Sequence, residues 1–166
     1  LVPVLPDEPR HPAGRTRSDG SLMMPRHRHG LVLGKFYPPH RGHSSLIRTA
    51  VDRCDELTVL VEAATAESIP LEDRVRWLQA EHGDVTVIGA RCDVPVDMHD
   101  EQVWTAQIAV MQAALQRTGR PPVDAVFTSE SYGDELARRF DAEHVLVDQP
   151  RLRVPISSTA VRADLA

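Results

Sequence analysis

The chain has 166 residues, enough for one domain with a substantial core and too few to expect two. Its formal charge is −5, no run approaches the about 20 apolar residues of a membrane span, and the N-terminus shows no signal-peptide pattern. Cys54 and Cys92 have neither disulfide-scaffold density nor metal-site spacing, so they read as buried thiols of a reducing, cytoplasmic setting. Residues 1–29 hold five arginines against three acids, leaving 14 basic residues against 21 acids in the rest. So acidic a body repels nucleic acid, and any anionic ligand must find a local cationic pocket. Arginine supplies 18 of the basic residues; Lys35 is the sole lysine.

In chain order, residues 1–29 carry five prolines and no apolar period. They read as a flexible leader, either an extension foreign to the protein or a segment ahead of a natural start at Met23 or Met24. From residue 30 to the end, one domain is expected. Strands are predicted at 31–35 (LVLGK), 57–62 (LTVLVE), 85–89 (VTVIG), 124–128 (DAVFT) and 144–148 (HVLVD). Helices are predicted near 43–53, 71–81, 99–118 and 132–140, with a last one starting near Ser157. Unbroken Val/Ile/Leu runs suit a sheet covered on both faces. Five of them alternating with helices predict an α/β fold with a doubly wound, mostly parallel five-stranded sheet. Such sheets bind ligands beyond the carboxyl ends of their strands.

The loop after the first strand, LGKFYPPHRGHSSLI, occupies that position. It is not a Walker A loop, because only three residues separate Gly30 from Gly34 and Phe36 stands where Ser or Thr is required. His40 and His43 have no cysteine or carboxylate nearby to complete a metal set. Gly34 would let a phosphate approach the backbone, and Lys35 would place a point charge beside it. Pro38 and Pro39 stiffen the turn, and Gly42 clears space before a helix whose N-terminus favours an anion. His40 and His43 add donors. A triphosphate cradle and a capped structural turn both fit these residues.

GKFYPPHRGH resembles the H-x-G-H signature of the nucleotidyltransferase superfamily, and PISSTAVR (155–162) resembles its second signature, I-S-x-T-x-x-R. With DRVRWL (73–78), FTSESYG (127–133) and VLVDQPR (145–151), the chain from about residue 30 to 163 is similar to nicotinamide-mononucleotide adenylyltransferase domains of the NadR type. The resemblance implies a Rossmann-like nucleotidyltransferase fold and the reaction ATP + nicotinamide mononucleotide → NAD + pyrophosphate, with Mg²⁺ on the ATP phosphates and no protein metal ligand. It assigns catalysis to His40, His43, Lys35 and Arg162. Gly34, Lys35, Phe36, His40, Gly42, His43, Thr128, Ser129, Glu130, Ile156, Ser157, Ser158, Thr159 and Arg162 would bind ATP. Lys35, Phe36, Tyr37, Asp97 and Trp104 would bind the mononucleotide. Ser158 replaces the family's usual glycine.

Each assignment has a plainer counterpart. Ser157 to Thr159 with Arg162 also read as an N-cap and a solvated arginine. Trp104, Ile108, Met111 and Leu115 make a helical stripe, so core packing competes with the nicotinamide stacking that the resemblance implies for Trp104. Arg74 stands between packing and ligand contact; Trp77 reads as packing. The loop 91–100, with Asp97 and His99, suits a substrate wall, and Arg151 and Arg153 could add charge. Adenylyl or cytidylyl transfer to another phosphate monoester, such as phosphopantetheine, and a non-catalytic nucleotide sensor remain alternative functions. No DNA-binding or kinase domain is visible, which suggests a truncated or stand-alone form, and a homo-oligomer stays open.

Overall fold

Short branched-apolar runs can bury their backbone polar groups only by pairing laterally, and helices between them force that pairing to be parallel. The computed structural model, which describes residues 26–95, 97–148 and 157–164, realises this arrangement. In chain order the elements are β1 (His27–Gly34), α1 (Arg41–Arg53), β2 (Cys54–Ala63), α2 (Leu71–Glu81), β3 (Thr86–Arg91), α3 (Glu101–Gln116), β4 (Ala125–Thr128), α4 (Gly133–Arg139), β5 (Glu143–Leu146) and α5 (Ser158–Asp164). One sheet runs in the order β3-β2-β1-β4-β5 with every pairing parallel, a Rossmann-like doubly wound sheet.

Strand alternation divides the core in two. Val32, Val59, Val61, Val87, Ala125 and Phe127 face Leu46, Ile47 and Ala50 of α1 and Leu71 and Leu78 of α2. The intervening Leu31, Leu60, Ala90 and Val126 face Trp104, Ile108 and Met111 of α3 and Leu136 of α4. Leu31, Val32, Val59, Leu60, Val61, Val126 and Phe127 have no exposed surface, and each such burial stabilises by roughly 1.5–3 kcal/mol. The strand order reverses between β1 and β4, which opens a crevice at their carboxyl ends.

Polar residues hide some element ends. β1 begins at His27, inside the segment read as leader, because His27 and His29 are buried where the pattern asks for apolar side chains. His29 lies 2.8 Å from Thr58 Oγ1 and 2.6 Å from the Pro121 carbonyl. The backbone N–H groups of Arg28 and His29 donate to the Asp124 carboxylate. Burial alone would raise the Asp124 carboxyl, but these bonds hold it below the usual range. The predicted start of α3 at 99 moves to Glu101 because Asp100 caps it, accepting from Gln102 and Val103. Among the described residues no helix is long and apolar enough to cross a membrane.

Candidate active site

A cavity of about 380 Å³ occupies the crevice between β1 and β4. Gly34 and Thr128, at the ends of those strands, line it with Glu62 of β2. His40, Gly42 and His43 supply one wall, Trp104 and Gln107 another, and Ser157 to Thr159 a third. Segments more than a hundred residues apart therefore face one space.

The wall at α1 is a capping box made from two histidines. His40 is the N-cap, and its Nδ1 accepts from the Gly42 N–H at 3.1 Å. Nδ1 of His43 accepts from the His40 N–H at 3.2 Å, and the two rings stack with centroids 3.7 Å apart. An imidazole that accepts through Nδ1 carries its neutral-state proton on Nε2. The same contacts that cap the helix therefore fix the tautomer of both rings. The turn is capped, and it presents to the cavity a helix N-terminus, which favours negative charge.

Phe36 supports this wall. It is 1 % exposed, lies in the left-handed region at φ 48°, and holds its ring 4.6 Å from that of His43. A Cβ at Gly34 would come within 3.1 Å of the Phe36 ring, tighter than ordinary contact, so the glycine gives the aromatic room to sit.

Beneath the loop lies a bracket that the sequence only hinted at. Arg74 has no exposed surface; it donates to the carbonyls of Lys35 and Ile69 and meets Glu67 at 2.6 Å. Glu67 also holds Lys35 Nζ at 2.7 Å. Burial pushes the Glu67 carboxyl up, but hydrogen bonds from Lys35 and Arg74 outweigh it and leave the group below the usual range. The Tyr37 ring sits between Arg74 and Arg162, each guanidinium 4.5 Å from its centroid. Its hydroxyl meets Ser68 Oγ at 2.5 Å, the main cause of a lowered phenol pKa.

Arg162 also donates to the Tyr37 carbonyl, and Ser158 Oγ to that of Pro38 at 2.9 Å. The second signature thus docks on the first. Tyr37 and Arg162 stand behind the cavity wall rather than in it, while Lys35, Phe36, Asp97, Ser129 and Glu130 line it. Ser158 spends its hydroxyl on tying α5 to the prolines. Ile156, Arg151 and Arg153 lie outside the described residues, as do residues 1–25 of the expected leader.

At the opposite end, Trp104 stands at the border of core and cavity. It is 7 % exposed and packs with Leu60, Ile108 and Met111, yet it also lines the cavity. Its Nε1 donates to the Met98 carbonyl at 3.1 Å, and the Arg139 guanidinium lies 5.0 Å from its ring. Arg139 is in turn paired with Glu101 and Glu135. Asp97 accepts from the His99 N–H, which shapes the loop before α3.

Thr128 Oγ1 lies 2.9 Å from His144 Nε2, whose Nδ1 is 2.7 Å from Asp134. Despite its triad-like order, this chain is structural. Thr128 is 2 % exposed, its oxygen also bonds the backbone of Glu130, and a Cβ at Gly133 would collide with His144 at 2.1 Å. Sequence reasoning missed His144, Glu67, Gln107 and Glu62. The first two act only through partners distant in the chain, and Glu62 reads as the polar end of a strand.

Comparison with known proteins agrees with this geometry. The profile of the cytidylyltransferase-like family matches residues 31–164. The trifunctional NAD biosynthesis/regulator protein NadR of Escherichia coli is 29 % identical over 150 residues, covering 80 % of this chain and 36 % of the relative. The chain thus spans little more than a third of that relative. Nicotinamide-nucleotide adenylyltransferase of Pyrobaculum neutrophilum is 29 % identical over 140 residues, covering 80 % of this chain and 73 % of the relative. A NadR structure with NAD and AMP-PNP shares the fold at a TM-score of 0.62 and 19 % identity, over 86 % of this chain and 43 % of that one. A bifunctional NMN adenylyltransferase/ADP ribose pyrophosphatase from Francisella tularensis does so at 0.59 and 13 %, over 74 % and 38 %. From its two signatures, its parallel sheet and this match across nearly all of its described length, the chain belongs to the cytidylyltransferase-like family of nucleotidyltransferases.

Proposed function

We propose that this domain transfers AMP from ATP to nicotinamide mononucleotide, giving NAD and pyrophosphate. The observation that carries the reading is the shared cavity. The paired histidines at the start of α1 and the hydroxyls at the start of α5 face the same space as Trp104. One end offers ring N–H donors and a helix N-terminus for phosphates; the other offers an indole face for a pyridinium. The names of the E. coli and P. neutrophilum relatives support this choice of substrates.

The acceptor phosphate has its second pKa near ~6 and is largely dianionic at neutral pH. It needs no general base to attack the α-phosphorus of ATP. The bond from that phosphorus to the bridging oxygen breaks, and pyrophosphate leaves with the electron pair. What the protein supplies is alignment and charge neutralisation. Nε2–H of His40 and His43 would donate to the α- and β-phosphate oxygens, strengthening as charge moves onto the leaving group. Ser157 and Thr159 would hold the terminal phosphates. Lys35 would exchange Glu67 for the bridging region between the substrates. Arg162 and Arg74 act through Tyr37 and the loop backbone as positioning residues. Mg²⁺ carried by the nucleotide oxygens would supply further neutralisation.

A coupled assay for NAD and pyrophosphate with Mg·ATP tests the proposal, comparing nicotinamide mononucleotide, nicotinate mononucleotide and phosphopantetheine. Turnover with a pyridine mononucleotide and none with phosphopantetheine is expected. Turnover with phosphopantetheine alone would move the domain to another acceptor. Binding of ATP and mononucleotide without pyrophosphate release would make it a sensor.

A further inference from the structure

The alternation of β2 continues past the core to the cavity rim. Val59 and Val61 face the α1–α2 layer and Leu60 the α3–α4 layer, so Glu62 points to the side of Leu60. Its register partner on β3 is Ala90, which packs in the same cluster as Leu60 and Trp104. Glu62 therefore stands one step outward from the Trp104 cluster, and both residues line the cavity. Its Oε2 is shielded from solvent and has no hydrogen-bond partner among the described residues. Burial pushes its carboxyl up, opposed by the charge of Lys35 and a hydrogen bond with Cys92. Neither packing nor capping accounts for it: an apolar residue would fill this place at less cost, and buried polar atoms are nearly always satisfied. An unsatisfied acceptor in a ligand cavity fits a ligand that brings the donor.

We propose that Glu62 determines acceptor specificity, its unpartnered oxygen accepting an N–H from an uncharged carboxamide on a ring stacked against Trp104. This rests on the reading of the acceptor as a pyridine mononucleotide. A carboxamide has two N–H donors, whereas a carboxylate offers only acceptors. With nicotinate at the same position, Glu62 stays unsatisfied and two like charges face each other. Sites built around a substrate N–H reject analogues lacking it far more strongly than apolar pockets reject a change of size. The mononucleotide phosphate has its place with the histidines and Lys35, whose charge also reaches this carboxylate.

The test compares kcat/KM for nicotinamide and nicotinate mononucleotides in the wild type and in Glu62→Gln, at saturating Mg·ATP. The wild type is expected to favour the carboxamide by about 10²-fold or more. Glu62→Gln should narrow that ratio by about tenfold or more, mainly through a gain with nicotinate, because the glutamine amide can donate to its carboxylate. A ratio unchanged in the variant, or an equal fall with both acceptors, overturns the assignment while NAD formation by the wild type leaves the proposed function standing. Should the wild type turn over neither acceptor, the proposed function fails. Calorimetric titration of both proteins with each mononucleotide then reads the same ratio, and an unchanged ratio or no binding overturns the role of Glu62.

Discussion

The two ends of the cavity are built on different principles. At the α1 end, polar groups aimed at the ligand are already employed by the protein: His40 and His43 cap a helix, and Lys35 is clasped by Glu67. At the α3 end, the Trp104 ring belongs to the core, and Glu62 holds an oxygen with no hydrogen-bond partner among the described residues. The first end is organised within the protein itself, with only Lys35 proposed to change partner. The second, on the proposed reading of Glu62, is completed by the ligand. Phosphate binding can be shared across a family on such terms, while the choice of acceptor rests on a few side chains.

Four experiments can break or sharpen this contrast. Arg74→Met should have the largest effect, about 3–5 kcal/mol of stability, because it takes from Glu67 its buried partner, leaving only the exposed Lys35, and leaves the Lys35 carbonyl without its donor. Chemical denaturation reads it, and a loss below about 1 kcal/mol would show that the bracket organises nothing. Trp104→Ala should cost about 3–5 kcal/mol as a core truncation and raise KM for the mononucleotide more than for ATP. If both KM values rise equally, Trp104 belongs to the core alone. His43→Ala should lower kcat by about 10²–10³-fold for one lost transition-state donor. The accompanying loss of a cap is worth only about 1 kcal/mol, so rate and melting temperature must part company.

The smallest effect is in pH. The Glu67 carboxyl lies below its ordinary 4.5 in the folded protein, so its stabilising contribution is complete above that pH and is lost as pH falls toward the folded value. Glu67→Gln should therefore be less stable than wild type at neutral pH, by about 1–3 kcal/mol, and the difference should shrink on acidification below 4.5. A difference constant with pH would remove the ion pairs from the account.

What was legible in the sequence followed the same division. The five strands and the H-x-G-H loop could be read because apolar runs and local signatures are contiguous. The first turn of β1 could not, since His27, His29 and Gly30 look like loop until Thr58, Pro121 and Asp124 are brought against them. Arg74 was visible as a charged helix residue; that it is wholly buried depends on Glu67, Ile69 and the Lys35 carbonyl arriving from another loop. Trp104 read as core from its helical spacing and as a ligand contact from the resemblance, and the fold places it at the border of core and cavity. Glu62 carries a strand-end charge like many others, and only the alternation of β2 within a finished sheet gives it a direction.

Because each histidine of the α1 wall accepts a backbone amide, the first turn of that helix cannot fray without releasing the imidazoles from their tautomer. Protection of the His40 and Gly42 amides against deuterium should thus track the readiness of the site itself, so the domain carries, in two backbone protons, a gauge of its own competence that needs no substrate to be read.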